Sequence, residues 1–302
     1  MRRVALVLVI LGALGSAVAF SQFARNGAKT HFDREDRNPV THLRWNDDPD
    51  EFQFAIVSDR TGGHRANVFS QAVHKLNLMQ PAFVLSVGDL IEGGKKTDAQ
   101  YQKEWQEFDD FVAKLTMPFF YVSGNHDVAT KESGKFWEGK LGRKHYHFVY
   151  RNVLFLALDS DDPPGSNGAV GAEQAAWVKQ VAAANRDVRW TIVLVHRPLW
   201  AVQGGLKNGW TGVEEALGER RYTVFAGHVH RFQKFVRNGQ FHYQLATTGG
   251  SSVLRGVEQG EFDHITWVTM KKDGPILAHV TLDAIHAENL QPFVADEPGS
   301  KR

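Results

Sequence analysis

Pro118-Phe119-Phe120-Tyr121-Val122 runs through Ser123 into Gly124-Asn125-His126-Asp127. A short apolar, aromatic-rich run reads as a buried strand, and the glycine marks where the backbone turns out of it. Tyr222-Thr223-Val224-Phe225-Ala226 ends the same way, in Gly227-His228-Val229-His230. Three more apolar runs end in polar side chains: Ile56-Val57-Ser58 in Asp59, Leu85-Ser86-Val87 in Gly88-Asp89, and Val193-Leu194-Val195 in His196. Open α/β sheets place their ligand sites at such strand ends.

Helices alternate with these strands. Asn67 to Met79 is amphipathic, with Val68, Ala72, Leu76 and Met79 on one face and Pro81 as the stop. Thr97 to Leu115 reads as a long helix that starts at Thr97 or Asp98, its stripe made of Trp105, Phe108, Phe111, Val112 and Leu115. Tyr146–Tyr150 and Val153–Leu158 form a hairpin about Arg151-Asn152, followed by a helix over Glu173–Ala184 and a strand over Trp190–Val195. Val213 to Leu217 belongs to another helix, and Tyr222 to Ala226 to another strand. From Phe232 the pattern becomes β meanders, with turns at Asn238-Gly239 and Asp273-Gly274. Together these predict an α/β fold, a four-layer αββα sandwich of two mixed β-sheets flanked by helices.

The ends of the chain read differently. Residues 1–19 have a positive start, an almost unbroken apolar run from Val4 to Leu14, and Ala17-Val18-Ala19 before Phe20. These are the three parts of a secretory signal peptide, which makes a secreted or periplasmic protein the expectation. The run is short for a membrane span, and no second one exists, so no stable span is expected in the mature chain. Residues 20–50 form a polar lead-in, 51–291 the folded domain and 292–302 a frayed tail. Loss of residues 1–19 removes Arg2 and Arg3 and no acid, which takes the net charge from +1 to about −1. That balance offers nothing to a nucleic-acid partner. There is no cysteine, so disulfides, thiolate catalysis and cysteine-held metals are all excluded.

Any metal must therefore sit among His, Asp, Asn, Glu or water, a donor set that suits Zn, Mn or Fe. A carboxylate such as Asp89 can bridge two cations, which offset its desolvation. Five strand ends carrying such ligands read as a two-metal hydrolase, in which the cations lower the pKa of a bound water.

The ordered series Asp59, Gly88-Asp89, Gly124-Asn125-His126-Asp127, His196 and Gly227-His228-Val229-His230 resembles the calcineurin-like metallophosphoesterase superfamily, to which the purple acid phosphatases are related. The resemblance implies hydrolysis of a phosphomonoester or phosphodiester on a binuclear centre of transition-metal ions (Mn, Fe or Zn), with a small phosphorylated substrate. It implies Asp89 as the bridge, Asn125, His196 and His228 around the second metal, and Asp59 and His230 around the first. It implies His126 as proton donor to the leaving oxygen, or as stabiliser of its charge, and Asp127 as the group that orients His126.

One position departs from the family, whose first motif is Asp-x-His; here it is Asp59-Arg60-Thr61. Three readings follow. His64 swings in across Gly62-Gly63; Glu92 substitutes, at the place of the metal-binding tyrosine of purple acid phosphatases; or the first metal is completed by water and binds weakly, with Thr61 bonded to that water. Arg60 is either a phosphate clamp or half of an ion pair. The departure also supports a different class of function, a degenerate fold that binds a phosphorylated ligand or partner without turnover. A one-metal enzyme is a further alternative.

Other polar residues carry blander readings. His145 and His147 share a face of a half-exposed strand, Asp159 is structural, and His242 and His264 have no partner pattern. Trp200 and Trp210 either form a substrate lip or pack the loop around Gln203-Gly204-Gly205. Lys95-Lys96 and Glu104 to Asp110 read as solvated helix faces.

Overall fold

Apolar residues along β1 (Phe52–Val57) divide by parity. Phe52, Phe54 and Ile56 enter the core between two sheets, while Ala55 and Val57 face outer helices. A strand covered on both faces needs such a continuous apolar run, because successive side chains point to opposite sides. The computed structural model describes residues 48–201, 207–283 and 285–287, with Thr41 and Asn46 besides. The expected leader, most of the lead-in and the expected tail lie outside the described residues. The chain divides into Met1–Asn46 and Asp47–Arg302, and the fold described is that of the second unit.

The elements after β1 are α1 (Val68–Met79), β2 (Val84–Ser86), α2 (Asp98–Val112), β3 (Phe119–Phe120), α3 (Asn125–Val128) and α4 (Lys131–Leu141). β4 (Tyr146–Tyr150), β5 (Val153–Leu158), α5 (Ala172–Ala184), β6 (Trp190–Val195), α6 (Trp210–Leu217) and β7 (Tyr222–Ala226) follow. The chain then makes β8 (Gln233–Arg237), β9 (Gln240–Gln244), β10 (His264–Lys271), β11 (Gly274–Thr281) and β12 (Ile285–Ala287).

Two six-stranded mixed sheets result, in the orders β12-β11-β10-β1-β2-β3 and β4-β5-β6-β7-β9-β8. Phe54 of the first sheet and Phe83, just before β2, meet Phe155 of the second at 5.3 and 5.4 Å between ring centres, edge to face. Outside, α1, α2 and α4 bury Phe69, Val73, Trp105, Phe108 and Trp137 against the first sheet. Val178, Val213 and Leu217 of α5 and α6 pack on Leu154, Leu156 and Val193 of the second. The expected four-layer sandwich is the observed one.

Four local features differ from expectation. The buried face of α1 is Phe69, Ala72, Val73 and Leu76, one position round from the predicted stripe, with Val68 and Met79 half-buried. α3 and α4 were not foreseen, because Gly134 and Gly139 dilute the helical signal; Thr130 caps α4 and Trp137 anchors it. The C-terminal meander splits between the sheets. β9 runs parallel to β7, whereas β10 returns to pair antiparallel with β1. The last turn sits at Lys272-Asp273, with Gly274 already in β11.

Parallel strands β1 and β2 of one sheet, and β6 and β7 of the other, end at the same edge of the sandwich. That edge carries the polar series.

Candidate metal centre

Each strand end places one side chain. Asp59, buried at a positive φ of 35°, follows β1, and Asp89, at φ 56°, follows β2. Non-glycine residues in this region are uncommon and cluster at functional sites. Glycines allow the close approach. A Cβ on Gly124 would lie 2.2 Å from Asp89 Oδ1, and one on Gly227 would lie 2.1 Å from Asp59 Oδ2.

Two ligand triads emerge, Asp89–His196–His228 and Asp59–Asp89–His230, each with its donor atoms within 4.8 Å of one another. Asp89 belongs to both. His196 Nε2 lies 3.2 Å from Asp89 Oδ2 and 3.0 Å from Asn125 Oδ1, so a proton or a cation must sit among these atoms. His230 Nε2 lies 3.4 Å from Asp59 Oδ1.

The second ring nitrogens test whether the site fits a cation. His196 Nδ1 donates to the Val87 carbonyl at 2.9 Å, and His230 Nδ1 to the Ser251 carbonyl at 2.6 Å. Each bond fixes the tautomer and turns the Nε2 lone pair into the site, the arrangement that metal-binding histidines require. The nitrogen and oxygen donor set therefore fits two transition-metal cations sharing Asp89.

Electrostatics points the same way. Burial disfavours charge on Asp89, but the His196 cation outweighs it and holds the carboxyl at about 2. Burial likewise opposes a proton on His196, yet Asp89 raises it to about 9. His228 is lowered to about 3 by burial, with the charges of His196 and Arg197 adding to it. A concentration of opposed charges at one buried point marks a functional site.

Asp127 does something other than expected. Its carboxylate accepts the backbone N–H groups of Asp89 (3.0 Å), Gly124 (2.8 Å), Leu90 (2.9 Å) and Ile91 (3.1 Å). It holds the Asp89 turn, and the expected bond to His126 is not made. The His126 ring is oriented instead by the Glu92 carbonyl, at 2.7 Å from Nδ1. Burial and the Asp89 charge push Asp127 up to about 7, against the pull of the Gly124, Ile91 and Leu90 N–H groups.

The substitutes for the missing histidine are also placed. His64 and Glu92 pair with each other at 2.9 Å, and neither enters a triad. The buried Thr61 hydroxyl lies 2.7 Å from the Ile91 carbonyl and 3.0 Å from that of Asp89, turned to the backbone and not to the site. Arg60 is the ion-pair half and no phosphate clamp. It binds Glu107 and the Leu90 carbonyl (3.1 Å), with its guanidinium 5.2 Å from the Phe111 ring centre. His242 and His264 are buried away from the triads. Trp200 and Trp210 are buried against each other, 5.3 Å between ring centres, and form no lip; residues 203–205 lie outside the described residues.

Sequence reasoning missed Arg197. Its Nη1 lies 2.9 Å from His228 Nε2, and its Nε contacts both Asp161 oxygens at 3.2 Å. The only signal was its place next to His196. A cleft of about 630 Å³ opens over the centre, lined by Asp89, Asn125, His126, His228, His230 and Val253, among others.

Comparison with known proteins agrees with this geometry. A probable glycerophosphodiester phosphodiesterase of Arcobacter nitrofigilis is 26% identical over 181 residues, 56% of this chain and 63% of that protein. A probable inactive purple acid phosphatase 27 of Arabidopsis thaliana is 25% identical over 202 residues, 52% of this chain and 32% of that protein. The chain thus spans less than two thirds of the curated relatives it matches. The fold of a dimetal phosphatase from Danio rerio superposes with a TM-score of 0.57 at 13% identity, over 80% of this chain and 99% of that one. The sequence model of the calcineurin-like phosphoesterase family matches residues 32–232, two thirds of the chain, and the protein belongs to that family.

Proposed function

We propose that the chain hydrolyses phosphate esters, mono- or diesters, at this cleft. The observation that carries the reading is the pair of triads sharing Asp89, with His126 beside them. Asp59, Asp89 and His230 would hold one cation, and Asp89, Asn125, His196 and His228 the other. Bound Mn, Fe or Zn supplies Lewis-acid stabilisation of phosphoryl charge and a water acidic enough to attack at neutral pH.

The chain's own residues do the rest. His126, fixed at Nδ1 by the Glu92 carbonyl, presents Nε2 near Gly62 in the cleft and, when protonated, gives its proton to the leaving oxygen. Asp127 holds the Asp89 turn through four N–H groups, so the bridging carboxylate does not reorganise during reaction. Arg197, paired with Asp161, donates to His228 Nε2 and holds that ring in place.

A reading without turnover is favoured by one observation, Thr61 where the family's first motif has histidine, in a chain whose Arabidopsis relative is named inactive. Metal content and turnover of purified protein with Mn, Zn and Fe decide between them. The substrates should include an aryl phosphate, a bis-aryl phosphate and, for the sake of the Arcobacter relative, a glycerophosphodiester. Turnover that disappears in His126→Ala supports the enzyme. Metal bound with no turnover on any ester supports the binding protein. Export is a separate proposal that rests on residues 1–19 alone, and the N-terminal sequence of the secreted or periplasmic protein tests it.

A further inference from the structure

The outer rim of the cleft carries two exposed valines, set among Arg231, Ser251, Ser252 and Glu261, that hydrolysis of a bare phosphate group does not use. Val229 is 48% exposed, Val253 78% and Leu254 46%. Val229 and Val253 line the cleft with Asn125, His126 and the triad histidines. Val229 lies between His228 and His230, and Leu254 is the next residue after Val253. Isolated exposed valines are ordinary on a protein surface, but two that line one ligand cleft, with exposed Leu254 next in sequence to one of them, offer it an apolar contact surface.

The segment that carries Val253 and Leu254 is anchored at both ends. Its start is held at Ser251, whose carbonyl accepts His230 Nδ1 at 2.6 Å and whose N–H reaches the Gly62 carbonyl at 3.3 Å. Its end is held by Glu261, which pairs with Arg255 and exchanges backbone bonds with Gly256 at 3.0 and 3.1 Å. Between these anchors Leu254 sits at φ 54°, a left-handed conformation costly for a branched side chain, with its N–H on Ser252 Oγ at 3.2 Å.

We propose that Val229, Val253 and Leu254 seat the organic part of the ester, and that the protein prefers phosphate esters of alkyl or aryl alcohols over those of polyols. The inference rests on the reading of the cleft as a phosphoesterase site. The ester phosphate would lie over the triads, and its carbon substituent would lie along Val253 and displace water from the rim. Contact with one exposed side of a methylene removes roughly half the area of full burial, which predicts about a twofold gain per methylene.

The test compares ethyl, butyl, hexyl and octyl phosphate on the manganese-loaded full chain, with glycerol 3-phosphate as the polyol. Both kcat/KM and the affinity of each ester, read by calorimetry, are measured. Val253→Ser combined with Leu254→Asn serves as the variant, because both positions are exposed and asparagine tolerates the left-handed conformation. The expected octyl-to-ethyl ratio is at least tenfold in the native chain and under threefold in the variant, with glycerol 3-phosphate no better than ethyl phosphate. Equal values along the series, or a variant that keeps the full gradient, overturns the proposal. If no ester turns over, the hydrolytic reading fails, and the affinity series alone still decides the rim: a gradient lost in the variant supports it, and a flat series sinks it.

Discussion

Asp127 Oδ2 accepts the N–H of Asp89 at 3.0 Å, so the buried acid of the Gly-Asn-His-Asp run secures, through its backbone, the residue that both triads share. An amide in its place turns an NH₂ toward N–H donors and leaves at least one of them without an acceptor. Asp127→Asn should therefore lower stability by about 2 kcal/mol or more and metal affinity by roughly 10–100-fold. With metal supplied in excess, kcat of the variant should recover to the native value. A kcat that stays low at full metal content would mean that Asp127 acts through His126 after all.

Gly124 is a matter of space. A methyl there meets Asp89 Oδ1 and the Asp89 nitrogen, both at 2.2 Å, and nothing flexible can give way. Gly124→Ala should cost a bound cation and most of the turnover. Gly134→Ala, in α4 with nothing within 4 Å, is the matched control and should stabilise by about 0.5–1 kcal/mol. Metal analysis of both variants alongside thermal unfolding checks this; equal metal loss in the two would refute the steric account.

His64 and Glu92 pair with each other and stay out of the triads, whereas His230 belongs to one. His230→Ala should lose one cation per chain. His64→Ala and Glu92→Gln should keep the native count. Plasma emission analysis after dialysis gives the answer, and a missing cation in either of the last two would restore that residue as a ligand.

His242 lies far from this chemistry, buried among Trp200, Trp210 and Tyr222, with its Nε2 3.8 Å from Glu214 and without a hydrogen-bond partner. Burial lowers it from 6.5 to about 4. The unfolded chain binds this proton first as pH falls, so stability drops from pH 6.5 down to about 4, by on the order of 3 kcal/mol. Above pH 6.5 the residue contributes no pH dependence. Urea melts of the native chain and of His242→Leu at pH 7 and 4.5 should show a smaller acid loss in the variant. An identical loss in both would assign the dependence to other groups.

The five strand ends were legible because a parallel strand announces itself locally, as an apolar run, and its ligand is simply the next residue. Asp59, Asp89, Asn125, His196, His228 and His230 all stand at the edge where the two sheets' parallel strands finish. What the reading lost depends on direction, not position. Arg60 sits between two residues of the first motif, yet its side chain leaves for Glu107 on α2. Asp127 adjoins His126 but turns back to Asp89, since a short helix points neighbouring side chains to different sides. The carbonyls of Val87, Glu92 and Ser251, which orient the three histidines, have no side-chain signature at all.

The contact between Asp89 and His196 joins the end of β2 in one sheet to the end of β6 in the other. Asp59, Asp89 and Asn125 follow strands of the first sheet, and His196, His228 and His230 follow strands of the second. A cation held by both sets would rivet the two halves of the sandwich together, and a slip of one half against the other would change the spacing of its ligands.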